Sequence, residues 1–174
     1  PNGGALIRKR VQYTLDILRS MNMRKLTKVV SNVGDYDIRS YTLYEKDKYR
    51  LLHRAYFYLS LSKNEGFGLP LMEAMSVGVP AVYINAYAFK EYAVGIPIDP
   101  YDVVIEDTPY GKMDNYVVRD SDVRYALTYA KECALSNDCY TDLSERALKK
   151  SKEFAMYDIE EKIMSALYSV VRYR

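Results

Sequence analysis

Two short apolar runs frame the most informative part of the chain. Residues 55–61 read AYFYLSL and residues 79–84 read VPAVYI. Runs of this length, apolar at successive positions, suit strands buried on both faces of a parallel sheet. A glycine-punctuated turn, residues 63–68, follows the first run. A short helix comes next, predicted to open at Pro70 and close at Gly78. Proline suits the first helical turn, where its missing N–H would be unbonded anyway, and glycine suits the position just past a helix end. Leu71, Met72, Met75 and Val77 are the expected core face of that helix. Strand, glycine loop, helix, strand is an α/β unit, and in such sheets ligands gather where loops leave the carboxyl ends of strands.

The same reading extends along the chain. Val11, Leu15 and Leu18 recur at helical spacing behind Arg8, Lys9 and Arg10. Residues 27–33 (TKVVSNV) suit a short strand ended by Gly34, and residues 41–44 (YTLY) a brief β-like run. A helix is expected from Lys46 or Asp47 to Arg54, with Leu51 and Leu52 facing inward, and another over residues 88–93. Residues 97–100 read as a turn and residues 102–116 as an irregular polar excursion on the surface. Three helices close the chain. The first starts near Asp120 or Ser121 and carries Val123, Leu127 and Ala130. The second starts at Asp142, with Glu145 three residues on, and the third at Asp158, with Glu161 three residues on. The third carries an apolar stripe of Ile159, Ile163, Leu167 and Val170.

With 174 residues, a single domain over 1–174 is the natural count. Hydrophobic residues make up 49%, enough for a substantial core, and the net charge of +2 points away from a nucleic-acid partner. Cys133 and Cys139 flank an expected helix end and are read as two free thiols of a reducing compartment. His53 lacks a His or Cys neighbour and is a poor metal ligand. No apolar run reaches membrane-spanning length and no signal peptide is visible, so a cytoplasmic place is expected. The chain begins at Pro1, which reads as a fragment or processed domain of a larger protein.

The candidate chemistry sits in the loop. Gly66 and Gly68 let a ligand approach the backbone. Leu69, Leu71 and Met72 lie at the helix start, where backbone N–H groups and the helix dipole favour an anion such as a phosphate. Glu65 and Glu73 are poor phosphate ligands. A carboxylate beside a phosphate site is better placed to accept hydrogen bonds from a sugar or ribose diol. Glu73 on its own could equally complement the dipole of its helix. A side chain at Gly68 is expected to intrude into the space the ligand needs, with Ala a milder load than Val.

Glu65 and Glu73, with seven residues between them that include Gly-Phe-Gly-Leu-Pro, resemble the E-x7-E signature of retaining glycosyltransferases of the GT-B fold, family 4 above all. The family pattern S-x-x-E-G-F-G-L-P-x-x-E-A-M-x-x-G-x-P-V is followed from Ser62 to Val82 except at Ala81, where the family usually has Val. Weaker similarity runs from Arg8 to about Pro100. The resemblance implies a Rossmann-like C-terminal, donor-binding half of a two-domain enzyme. It implies a nucleoside diphosphate sugar as donor, with neither metal nor further cofactor required. The acceptor, whether glycan, lipid or protein, would be met through an N-terminal domain, and the full-length enzyme could be peripheral at a membrane. Glu65 would lie beside the transferred sugar as the catalytic carboxylate. Gly66, Phe67, Gly68 and Leu69 would contact sugar and diphosphate, and Glu73 would hold the ribose. Lys9, with Arg8 as second candidate, matches a basic motif that reaches the diphosphate; the alternative is a solvated basic helix start. Leu43 and Tyr44 fall where a loop frames the nucleotide base, although an aromatic there could as well be core packing. Glu91 resembles a glutamate that often follows the second strand, but the usual preceding glycine is absent and Ala86-Tyr87 stands nearby. Asp35-Tyr36-Asp37 matches the metal-holding triplet of the other glycosyltransferase fold and is better read as a polar turn. The competing functional reading is a non-catalytic module that binds nucleotide sugars. Other phosphate-binding α/β classes lack support, since neither G-x-G-x-x-G nor a P-loop lysine occurs.

Overall fold

The computed structural model describes residues 9–31, 36–108, 111–155 and 163–164. Its centre is a parallel three-stranded sheet of β3 (Tyr58–Ser60), β4 (Ala81–Ile84) and β5 (Gly95–Ile98), with β4 in the middle. Leu59 pairs with Val82, and Val82 with Ile96. All four residues of β4 are buried, so its alternating side chains feed two separate clusters. Val82 and Ile84 join Ile96 and Ile98 on one face, under Ile17 and Leu18 of α1 (Val11–Ser20) and Val123 and Leu127 of α5 (Asp120–Leu135). Ala81 and Tyr83 point the other way. They meet Leu71 and Met75 of α3 (Leu69–Ser76), Phe89 and Tyr92 of α4 (Phe89–Tyr92) and Ala147 of α6 (Asn137–Lys152). Helices therefore cover both faces of a parallel sheet, the Rossmann-like α/β arrangement expected.

Outside this layer, β1 (Val30–Ser31) and β2 (Ile38–Arg39) form a small parallel pair, and α2 (Glu45–Leu52) precedes β3. Within the strand expected over 27–33, residues 27–29 are not strand, Val30 and Ser31 form β1, and residues 32–33 lie outside the described residues. Of residues 41–44 the first two belong to a 3-10 turn, Ser40–Thr42, while Leu43 and Tyr44 are extended in backbone without belonging to a strand. Leu51 and Leu52 are only half-buried, as are Met72 and Val77, while Ala74 joins Leu71 and Met75 in the core.

Several expectations change. Pro97 lies within β5, not in a turn; β5 is an edge strand, where a residue without an N–H is tolerated. Gly95 starts that strand because a Cβ there would fall 1.9 Å from the Ala81 carbonyl oxygen. The stretch 102–116 is no irregular excursion but an antiparallel hairpin, β6 (Asp102–Thr108) and β7 (Gly111–Val117). Its β-branched residues, Val103, Val104 and Ile105, favour extended backbone. The helix expected from Asp142 begins at Asn137, since the Ser136 side chain accepts a hydrogen bond from the Cys139 N–H and caps it earlier. Asp142 stands inside the helix, paired with Arg146 at 3.1 Å. The expected capping residues of the last helix, Asp158 and Glu161, lie outside the described residues.

The cysteines are not free thiols. Cys133 and Cys139 form a disulfide, with Cα atoms 5.2 Å apart. A single residue, Ser136, separates α5 from α6, so the last turn of one helix meets the first turn of the next within bridging distance. Replacing both cysteines with serine should lower stability by about 2 kcal/mol, the chain-entropy value for so short a loop. The melting temperature should fall by roughly 4–8 °C, read by thermal unfolding with and without reductant; an unchanged value would show that the bridge contributes nothing.

Candidate functional site

The loop between β3 and α3 leaves the carboxyl end of a half-buried strand at one edge of the sheet, and its first residues stay inside. Ser62 is 3% exposed and Glu65 8%. A carboxylate in such a place is costly unless paired. Lys9, ahead of α1, forms an ion pair with it. Glu73 is the fifth residue of α3, just past the first turn, and pairs with Lys48 of α2 at 2.7 Å. That hydrogen bond raises the Lys48 ammonium above its ordinary pKa. Each glutamate of the loop-helix unit is thus met by a lysine from an earlier helical segment.

The helix start differs in detail from expectation. Gly68 adopts φ 81° and ψ 51° as the residue preceding α3. Its carbonyl accepts the Leu71 N–H at 2.9 Å and the Met72 N–H at 3.4 Å, so those two donors are committed. Pro70 has no N–H, which leaves Leu69 as the donor of the first helical turn, alongside the loop amides of Gly66, Phe67 and Gly68. The side-chain space also differs. A Cβ on Gly68 would lie 2.2 Å from the Phe89 ring and 3.2 Å from the Tyr92 hydroxyl, so it points into the protein and not toward ligand space. A Cβ on Gly66 would meet nothing within 4 Å. Phe67 is partly exposed, its ring stacked on Tyr92 at 5.1 Å, and Leu69 is exposed.

Two tyrosines hold this loop from below. The Tyr87 hydroxyl donates to the Lys63 carbonyl and lies 3.0 Å from that of Ser62. The Tyr92 hydroxyl donates to the Phe67 carbonyl and lies 3.3 Å from that of Gly68. Burial, and after it the charge of Glu65, pushes the Tyr92 phenol well above its ordinary pKa. Burial also raises that of Tyr87. Tyr58 beneath them is pushed up to about 12, first by burial and then by Glu65 and Glu73. The hairpin braces the loop from the other side. Lys63 pairs with Glu106 at 2.7 Å, Asn115 donates to Glu106 at 2.8 Å, and Asn64 donates to the Asp114 carbonyl at 3.1 Å. The hydrogen bond from Lys63 holds the Glu106 carboxyl below its usual range. Arg10 donates to Asn115 at 3.1 Å and to the Tyr116 carbonyl at 2.9 Å.

The structure brings Lys9, Glu65, Gly66, Phe67, Gly68, Leu69 and Glu73 to one end of the sheet. Arg8 lies outside the described residues. Leu43 is half-buried and Tyr44 exposed; both precede α2, whose Lys48 reaches Glu73. Glu91 is exposed on α4. Asp37 is engaged by Arg24 at 3.1 Å and the Val29 N–H at 2.8 Å, a turn contact, while Asp35 lies outside the described residues. Sequence reasoning missed Lys48, Lys63, Tyr87, Tyr92, Glu106 and Asn115. No local pattern marks them, because each acts on a residue far away in the chain.

Residues 40–95 match the family described as Glycosyl transferases group 1, a segment holding both glutamates and both tyrosines. Among curated proteins, the chain is 71% identical over its whole length to "Putative glycosyltransferase 48" of Sulfolobus islandicus filamentous virus, covering 56% of that protein. It is 37% identical over 158 residues to "Putative glycosyltransferase 41" of the same virus, covering 88% of this chain and 46% of that one. It is 36% identical over 118 residues to "Putative glycosyltransferase ORF330" of Acidianus filamentous virus 2, covering 68% of this chain and 33% of that one. The chain therefore spans about half or less of the length of these relatives.

The two loop glycines should separate cleanly on substitution. Gly68→Ala should destabilise the fold by at least about 1–2 kcal/mol, the scale of left-handed backbone strain, with displacement of the buried Phe89 added. Gly66→Ala should stay within about 0.5 kcal/mol. Denaturant titration of the two variants decides this; equal losses would show that the loop conformation is wrongly assigned.

Proposed function

We propose that this chain is the donor-binding part of a GT-B glycosyltransferase of family 4 type, taking a nucleoside diphosphate sugar and serving retaining hexosyl transfer. The observation that supports this best is the pair of glutamates set around a glycine loop at the carboxyl end of a parallel strand, each held by a lysine. Glu73, half-buried beside α2, would accept the ribose diol with the oxygen not used by Lys48. The diphosphate would lie on the amides of residues 66–69. Glu65, at the loop's inner end, would face the transferred sugar as the catalytic carboxylate. Lys9 beside it would offset the negative charge that develops on the departing diphosphate, which is where preorganised donors have most effect. Leu43 and Tyr44, ahead of α2, would border the base. In this reading neither a metal nor a further cofactor is required, and the acceptor is met by a further domain of the full-length enzyme. Among the described residues no helix is long and apolar enough to cross a membrane. A cytoplasmic enzyme, peripheral at a membrane in its full-length form, completes the proposal.

Two measurements test this. Calorimetric titration with uridine, guanosine and adenosine diphosphates should give binding to at least one. Glu73→Ala should weaken it by about 1.5–3 kcal/mol, the range for hydrogen bonds to a charged group, without unfolding the chain; an unaltered affinity would remove Glu73 from the ribose site. Gly66→Ala should weaken the diphosphate more than the bare nucleoside, since only the former reaches the loop amides. Sugar transfer by the full-length enzyme, with anomeric configuration followed by NMR, separates this reading from a non-catalytic module: no turnover with intact donor binding would favour the module.

A further inference from the structure

We propose that Tyr87 and Tyr92 are positioning residues for the donor's diphosphate, two hydroxyls that grip the glycine loop at both ends and turn its amide N–H groups toward the ligand. The diphosphate role rests on the donor-site reading above; the grip itself does not.

The argument begins with the peptide unit. In a trans amide, the C=O and the following N–H point in opposite directions. A hydroxyl that draws the Phe67 carbonyl inward therefore turns the Gly68 N–H outward. The Gly68 carbonyl, which faces Tyr92 and also accepts the Leu71 N–H, turns the Leu69 N–H outward in the same way. At the other end Tyr87 engages the Ser62 and Lys63 carbonyls, fixing where the loop leaves β3. Between these grips Asn64 and Glu65 are held by the Asp114 carbonyl and by Lys9, whereas a side chain on Gly66 would meet nothing, so the stretch from Gly66 into the helix start depends on the grip at Phe67 and Gly68.

Both tyrosines are themselves immobilised. Tyr92 is 2% exposed and packs on Phe67, Phe89 and Phe154 with ring centroids 5.1–6.0 Å away. Tyr87 meets Tyr116 edge-on at 4.7 Å and Phe89 at 6.4 Å. Its backbone sits at φ 53°, a left-handed conformation that a bulky residue adopts only where the surroundings enforce it. The raised phenol pKa values keep both hydroxyls protonated, and so hydrogen-bond donors, throughout the neutral range.

Tyr87→Phe and Tyr92→Phe remove only the hydroxyls and keep the rings. Three readouts are taken on the protein and each variant. They are amide hydrogen exchange over residues 66–71 without ligand, calorimetric affinity for the diphosphates of uridine, guanosine and adenosine and for the matching nucleosides, and thermal unfolding. The grip predicts loop exchange faster by roughly fivefold or more, and nucleoside diphosphate affinity lower by about fivefold, the equivalent of one net hydrogen bond. Nucleoside affinity should stay unchanged. Unaltered loop exchange would overturn the grip, and equal loss for nucleoside and diphosphate would overturn its diphosphate role. If the wild-type chain binds none of the diphosphates, the donor reading fails and the diphosphate role with it, while the exchange result still judges the grip by itself.

Discussion

The fold depends on burying both faces of one four-residue strand. Ala81–Ile84 is enclosed completely, and its side chains alternate between two cores, one on each face of the sheet. Small Ala81 leaves room for Leu71, Met75 and Phe89 on one side, while Val82 and Ile84 fill the other. Because the alternation has period two, a slip of one residue would exchange the two faces and disrupt both cores. The register of the sheet, and with it the height at which the loop after β3 emerges, follows from that constraint. The catalytic candidates are thereby positioned by packing before any polar contact is made.

The ion pairs around the loop differ greatly in weight. Arg50–Asp47 and Arg146–Asp142 lie on exposed helix faces, where a pair contributes about 0–1 kcal/mol. Lys9–Glu65 is different, since the Glu65 side chain is only 7% exposed. Leaving such a carboxylate unpaired costs about 3–5 kcal/mol, so the N-terminal basic segment is tied to the site by desolvation as much as by attraction. Lys48–Glu73 is intermediate: both side chains are half-buried and water still reaches them.

What the sequence made legible was local chemistry. Pro70 and Gly78 mark the ends of α3 closely, and the apolar runs locate β3 and β4, because the determinants lie within a few residues of the element. The E-x7-E unit is local too. What was illegible depends on partners distant in the chain. The tyrosine hydroxyls bond carbonyls 24 and 25 residues away, Lys48 and Glu73 are 25 apart, and Lys63 and Glu106 are 43 apart. The hairpin was misread because its two seven-residue strands carry many polar residues, so their alternation did not stand out as strand. The disulfide was missed because six residues of separation say nothing until the helix break at Ser136 is known. Asp142 and Glu145 had the form of a cap, but Ser136 had already started that helix.

Tyr87 sets a constraint on what this position can hold. It carries a bulky side chain on a left-handed backbone, where glycine is the usual alternative. Glycine meets that conformation freely but enlarges the unfolded ensemble, whereas a side chain there accepts strain and narrows it, effects of about 1 kcal/mol each and of opposite sign. The two solutions are therefore close in stability but not in architecture, since only tyrosine supplies a hydroxyl beneath Ser62 and Lys63. Glycine at this position would remove the ring that meets Tyr116 and the hydroxyl that engages the loop backbone in one step, so the residue ties hairpin packing to the path of the loop.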